Sequence, residues 1–156
     1  MKKFFYLIII IGLFSGCKSN DSNSTTLDSD DYTSKADRIK VIKKEIKSFS
    51  DFHDAEFELF NVNGFQNQTW VPGASSWDYK FAIRIDTLNI SKWTSGMQEI
   101  RLNEYDDHWT KEITKQRKQN WQTNSEPRYF IRNGENVTML VYKKEGIIFK
   151  RVINLN

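Results

Sequence analysis

Few side chains in this 156-residue chain are suited to chemistry. Its two histidines each sit among acids: His53 in Asp51-Phe52-His53-Asp54 and His108 in Asp106-Asp107-His108-Trp109. Imidazole and carboxylate are common ligands of zinc and other divalent ions. If the fold brought the two segments together, His53, His108, Asp54 and Asp107 would make a metal site. The acids have a simpler use as caps at the start of a helix or strand, and their spacing matches no metal motif. Capping is therefore the preferred reading, and no metal is expected. Glu56 and Glu58 lie on one face of a strand, which should be solvated. No Gly-x-Ser-x-Gly elbow is present, and Ser75 and Ser76 follow Pro72-Gly73 as turn residues. No glycine loop cradles a phosphate, so no cofactor is implied. The only cysteine is Cys17.

Aromatic residues offer a second kind of chemistry, contact with a ligand or partner. All five tryptophans fall between Trp70 and Trp121. The stretch 64–77 is a long connection that carries Phe65, Trp70 and Trp77 among polar residues. Long loops without structure of their own often bind something, and tryptophan is enriched at binding hot spots. Trp70, preceded by Gln66-Asn67-Gln68-Thr69, is expected to be exposed and to touch a partner. The alternative is that Phe65, Trp70 and Trp77 fold back as a lid on the core. Trp77 adjoins a strand, which favours the lid for that residue.

The start of the chain explains the cysteine. Lys2 and Lys3 precede an 11-residue run, Phe4 to Phe14, and Ser15-Gly16-Cys17 ends it. A basic start, a short apolar middle and small residues before a cut form a secretory signal peptide. The run is too short for a membrane span, which takes about 20 apolar residues. An ordinary cleaved leader would strand Cys17 as a lone thiol in a secreted chain. The arrangement resembles the signal peptide and lipobox of bacterial lipoproteins, with Phe14 where Leu or Val is usual. The resemblance covers residues 1–17. It implies cleavage after Gly16, lipid on Cys17 and attachment to the cell envelope. It also implies the outer rather than the inner membrane, because Lys18, not Asp, follows the cysteine.

Removing residues 1–16 leaves 140, enough for one domain and a tether. Without Lys2 and Lys3 the net charge of +3 falls to +1, and no basic block suggests nucleic acid. Residues 17–34, rich in Ser, Asn, Asp and Thr, read as the lipidated cysteine and a flexible tether that folding does not need. The domain is expected over 35–156. A helix is expected from Lys35 to about Phe49, with Ile39, Ile42, Ile46 and Phe49 on one face. Strands are expected over 54–63 and 78–86. Two helices are expected over 86–97 and 107–118. Three strands should follow near 129–132, 137–143 and 147–153, joined by turns at Asn133-Gly134 and Glu145-Gly146. The expected architecture is α+β, an antiparallel sheet of about five strands with the helices packed on one face.

Two functions of different class fit. The first is an envelope-anchored lipoprotein of non-enzymatic binding or accessory type. Its membrane partner would be reached through the lipid on Cys17, and a protein or small ligand would be bound; an immunity-like role is one version. The second is a small metal-dependent envelope enzyme using His53 and His108.

Overall fold

The computed structural model describes residues 24–65, 76–101 and 106–154. Residues 1–23, with the expected signal peptide and Cys17, and Trp70 lie outside them. The elements are β1 (Thr26–Asp28), α1 (Lys35–Glu45), β2 (Asp54–Asn61), β3 (Trp77–Arg84), α2 (Ile90–Thr94) and β4 (Gln98–Ile100). They continue with α3 (His108–Ile113), β5 (Arg128–Ile131), β6 (Val137–Tyr142) and β7 (Ile147–Asn154). Seven strands form one sheet in the order β1-β2-β3-β7-β6-β5-β4, with antiparallel pairing throughout. No helix among the described residues is long and apolar enough to cross a membrane.

This corrects the expected five-strand sheet with helices on one face. Two further strands, β1 and β4, each of three residues, close the sheet at its edges. Short edges limit pairing with other chains. The helices are short and divide between both faces. On one face α1 and α2 pack Ile42, Ile90 and Trp93 onto Phe57, Phe81, Ile83, Met139 and Ile148. On the other, α3 packs Trp109 and Ile113 onto Ala82, Leu140, Ile147 and Phe149, joined by Trp121. The alternation of β3 and β7 supplies both faces: Ile83 and Ile148 point one way, Ala82 and Phe149 the other.

Each helix is shorter than its apolar period suggested. Ser34 caps α1 by accepting from the Asp37 N–H at 3.0 Å. The helix ends at Glu45, because Ile46 turns extended and sends Phe49 edge-on against Trp93 at 5.2 Å. The stretch 86–97 opens as a 3-10 turn, with Asp86 accepting from the Leu88 N–H, before α2. The stretch 107–118 breaks at Thr114. A 3-10 segment, Lys115–Trp121, follows, with Arg117 out of helical conformation. One turn demands glycine: at Gly146, φ is +65° and a Cβ would lie 2.3 Å from the Ile85 carbonyl oxygen.

The expected tether is also corrected, because its second half belongs to the fold. Thr26, Leu27 and Asp28 pair with Phe60, Leu59 and Glu58. Ser29 is buried, and Leu27 and Tyr32 pack against the core. Arg117 clamps the segment: its Nη2 donates to the carbonyls of Ser29 and Tyr32, both at 3.1 Å, and its Nη1 reaches Asp30 at 3.1 Å. A polar composition hid this, because the segment is held by backbone pairing and one distant arginine.

Candidate functional site

The metal reading brings no site together. Among the described residues no three His, Cys, Asp or Glu side chains gather as a metal group. His53 and His108 are exposed. Asp54 is tied to Arg38 at 2.9 Å, and Asp107 to Lys111 at 3.5 Å. Asp106 accepts from the His108 N–H at 3.0 Å just ahead of α3, while Asp107 at the cap position makes no side-chain capping bond.

Of the aromatic loop, Phe65 and Trp77 are described. Phe65 is half-buried against Tyr79, ring centroids 6.0 Å apart, and its N–H donates to the Ser24 carbonyl. Trp77 is half-buried at the start of β3, opposite Asn61 and Asn154. Both serve the end of the sheet where the chain enters.

Glu56 overturns the reading of a solvated carboxylate pair. Glu58 is exposed, but Glu56 is fully buried beneath the 115–121 segment. Its carboxylate takes Arg117 at 2.9 Å and Arg38 at 3.4 Å, and the Trp121 indole N–H donates to it at 3.4 Å. Burial pushes its carboxyl up, while Ser29, Arg38, Arg117 and Trp121 pull it down. Arg38, itself buried, also donates to the Ala55 carbonyl at 2.9 Å. Arg38 and Arg117 thus hold α1, β2, the entering chain and the 115–121 segment together around one anion.

The site that geometry favours lies beside this network. A cleft of about 410 Å3 opens between α3, the 115–121 segment and the β6–β7 hairpin. Such a volume falls in the range of small-molecule sites. Its floor is aromatic: Phe149 meets Trp121 at 6.3 Å and Tyr142 at 6.0 Å, both edge-on. Behind it Trp109 meets Phe149 at 6.2 Å. Arg84 steadies the wall by donating to the Asn120 carbonyl and lying 5.9 Å over the Trp121 ring. Thr110 and Thr114 turn their hydroxyls back on the helix, to the Asp107 and Thr110 carbonyls at 2.7 Å. Burial pushes the Tyr142 hydroxyl up, although a hydrogen bond with Thr123 opposes it. It is therefore a protonated phenol at neutral pH.

The rim is cationic. Lys111, Lys115 and Lys118 line the cleft, and all are exposed. Lys111 is partly neutralised by Asp107, while Lys115 and Lys118 make no ion pair among the described residues. An aromatic floor under two uncompensated ammonium groups suits an anion with a flat apolar body. The sequence carried a signal for this rim, the i, i+4, i+7 lysines before Trp121. Phe149 and Tyr142 are 28 and 21 residues beyond Trp121, and only the hairpin brings them in.

A buried cation on the opposite face was also missed. Lys150 in β7 lies between Phe81 and Met139, 8% exposed, with its ammonium 5.6 Å from the Phe49 ring centre. Burial lowers its pKa to about 8, with Arg132 adding to the fall and Glu135 opposing it.

No family model, curated protein or solved structure matches this chain.

Proposed function

We propose that this chain is a lipid-anchored envelope lipoprotein of non-enzymatic type that captures a small organic anion in the cleft over Phe149. The carrying observation is the pairing of that aromatic floor with the rim of Lys115 and Lys118. The ligand would carry one carboxylate, sulfonate or phosphate and a flat apolar group. The anchor rests on the basic start, the short apolar run and the only cysteine at its end. Lys18 after the cysteine favours the outer membrane, by the same resemblance.

Acylation should be visible directly. Wild-type protein should sediment with membranes and incorporate labelled fatty acid. The Cys17→Ser variant should do neither and should accumulate in the soluble fraction. If the variant stays with the membranes, or wild type takes up no label, the anchor is wrong.

A further inference from the structure

We infer that the end of the sheet carrying Asn61–Phe65 and Trp77 rests against the lipid layer that holds the acylated Cys17, so that the aromatic cleft opens away from the membrane. The inference depends on acylation of Cys17 and goes beyond it by fixing the orientation of the domain.

The argument begins with chain length. A tether running to Ser34 would give 17 residue steps and a reach of about 60 Å. The fold takes up the chain far earlier. The Ser24 carbonyl accepts from the Phe65 N–H at 3.2 Å, and the Thr25 carbonyl accepts from the Asn61 N–H at 2.9 Å. From there Thr26–Asp28 is paired into the sheet, and Arg117 clamps Ser29, Asp30 and Tyr32. Seven residue steps separate Cys17 from Ser24, and their reach cannot exceed about 25 Å, the span at full extension. That is less than the diameter of a domain of this size, so the domain cannot turn freely above its anchor.

The point of entry selects the end that faces the lipid. Ser24 meets the turn after β2, beside the start of β3 and the end of β7. That end presents Val62, 39% exposed; the other exposed large hydrophobic among the described residues, Leu88, lies past the far end of β3, so the selection rests on where the chain enters. Phe65 and Trp77 stand half-buried beside it. Aromatic rings at the boundary of a bilayer match its mixed polarity. The cleft is built at the other end of the same strands: Tyr142 pairs with Ile147, which faces Arg84. Eight residues of strand, about 25 Å, separate the two.

The test uses the full lipidated chain in phospholipid vesicles that contain a nitroxide-headgroup lipid. A bimane label is placed at Val62→Cys or, at the far turn, at Lys144→Cys. The label at 62 should be quenched about threefold more than the label at 144, because only the first lies within reach of the headgroups. A flexible Gly/Ser spacer of about 20 residues after Asn20 should remove that difference by lengthening the reach. Equal quenching at both sites, or a difference that the spacer leaves unchanged, would overturn the orientation. Loss of co-flotation with the vesicles is a separate outcome: it would refute acylation of Cys17 and take the orientation with it.

Discussion

Replacing Glu56 with alanine should destabilise the domain by about 3–5 kcal/mol, the usual cost of removing one partner from a buried ion pair. Arg38 is 3% exposed and would lose one of its two carboxylates. Arg117 would keep Asp30 but lose Glu56, its buried anchor. The Trp121 N–H would lose its acceptor. The loss would spread, because Glu56 is where the entering chain, α1 and the 115–121 segment meet. Glu58→Ala is the control. Glu58 sits two residues away on the same face, half-exposed and paired with Lys80 at 2.8 Å. Exposed pairs contribute about 0–1 kcal/mol. Urea melts of the two variants should therefore differ widely in midpoint. Similar midpoints would show that the Glu56 network does not hold the fold together.

Lys150→Met should act in the opposite sense and stabilise the domain at pH 7. A fall in pKa from 10.5 to about 8 corresponds to a penalty of roughly 3 kcal/mol for burying the ammonium. Methionine has a similar length and no charge, and would fill the same place between Phe81 and Met139. The pH dependence follows from the sign of the shift. Below pH 8 the amine is protonated in both folded and unfolded chains, and the penalty is full. Between pH 8 and 10.5 the unfolded chain binds the extra proton, so wild-type stability from this group rises. The advantage of Lys150→Met should thus be largest at pH 7 and shrink by pH 10. Melts of both proteins at the two pH values check this, since the two differ only at residue 150. A variant less stable than wild type at pH 7 would mean that the ammonium is favourably held.

Much of the sheet was legible because its interior strands repeat every second residue. Tyr79, Phe81, Ile83 and Ile85 mark β3, and Asn133-Gly134 and Glu145-Gly146 mark the hairpins. The second of these turns gains more than its glycine. The Glu145 carboxylate accepts from the Asn124 and Ser125 N–H groups at 2.9 Å and from the Ser125 hydroxyl. These bonds hold its pKa down to about 2. The edges were not legible. Thr26-Leu27-Asp28 and Gln98-Glu99-Ile100 are too short and polar to carry a period, and their neighbours decide them. Tertiary demand likewise overrode the helical period after Thr114: the chain kinks at Arg117, whose guanidinium reaches Glu56.

The cleft was half legible. Its lysines follow a helical spacing, but its floor joins residues that only the hairpin brings together. Trp70, the residue singled out in the sequence for partner contact, lies outside the described residues. Trp121, given no separate role in the sequence reading, lines the cleft.

The most direct test of that site is a nitrogen-15 NMR titration of the Cys17→Ser chain with two probes of equal shape and opposite charge. These are 1-naphthalenesulfonate and 1-naphthyltrimethylammonium. The sulfonate should produce saturable shifts at the amides of Thr110, Thr114, Thr123 and Phe149, while the ammonium probe should not. Joint replacement Lys115→Glu and Lys118→Glu should weaken the sulfonate by about tenfold or more, a loss of roughly 1.4 kcal/mol. Shifts that never saturate, that fall elsewhere, or that are equal for the two probes would contradict capture of an anion in the cleft.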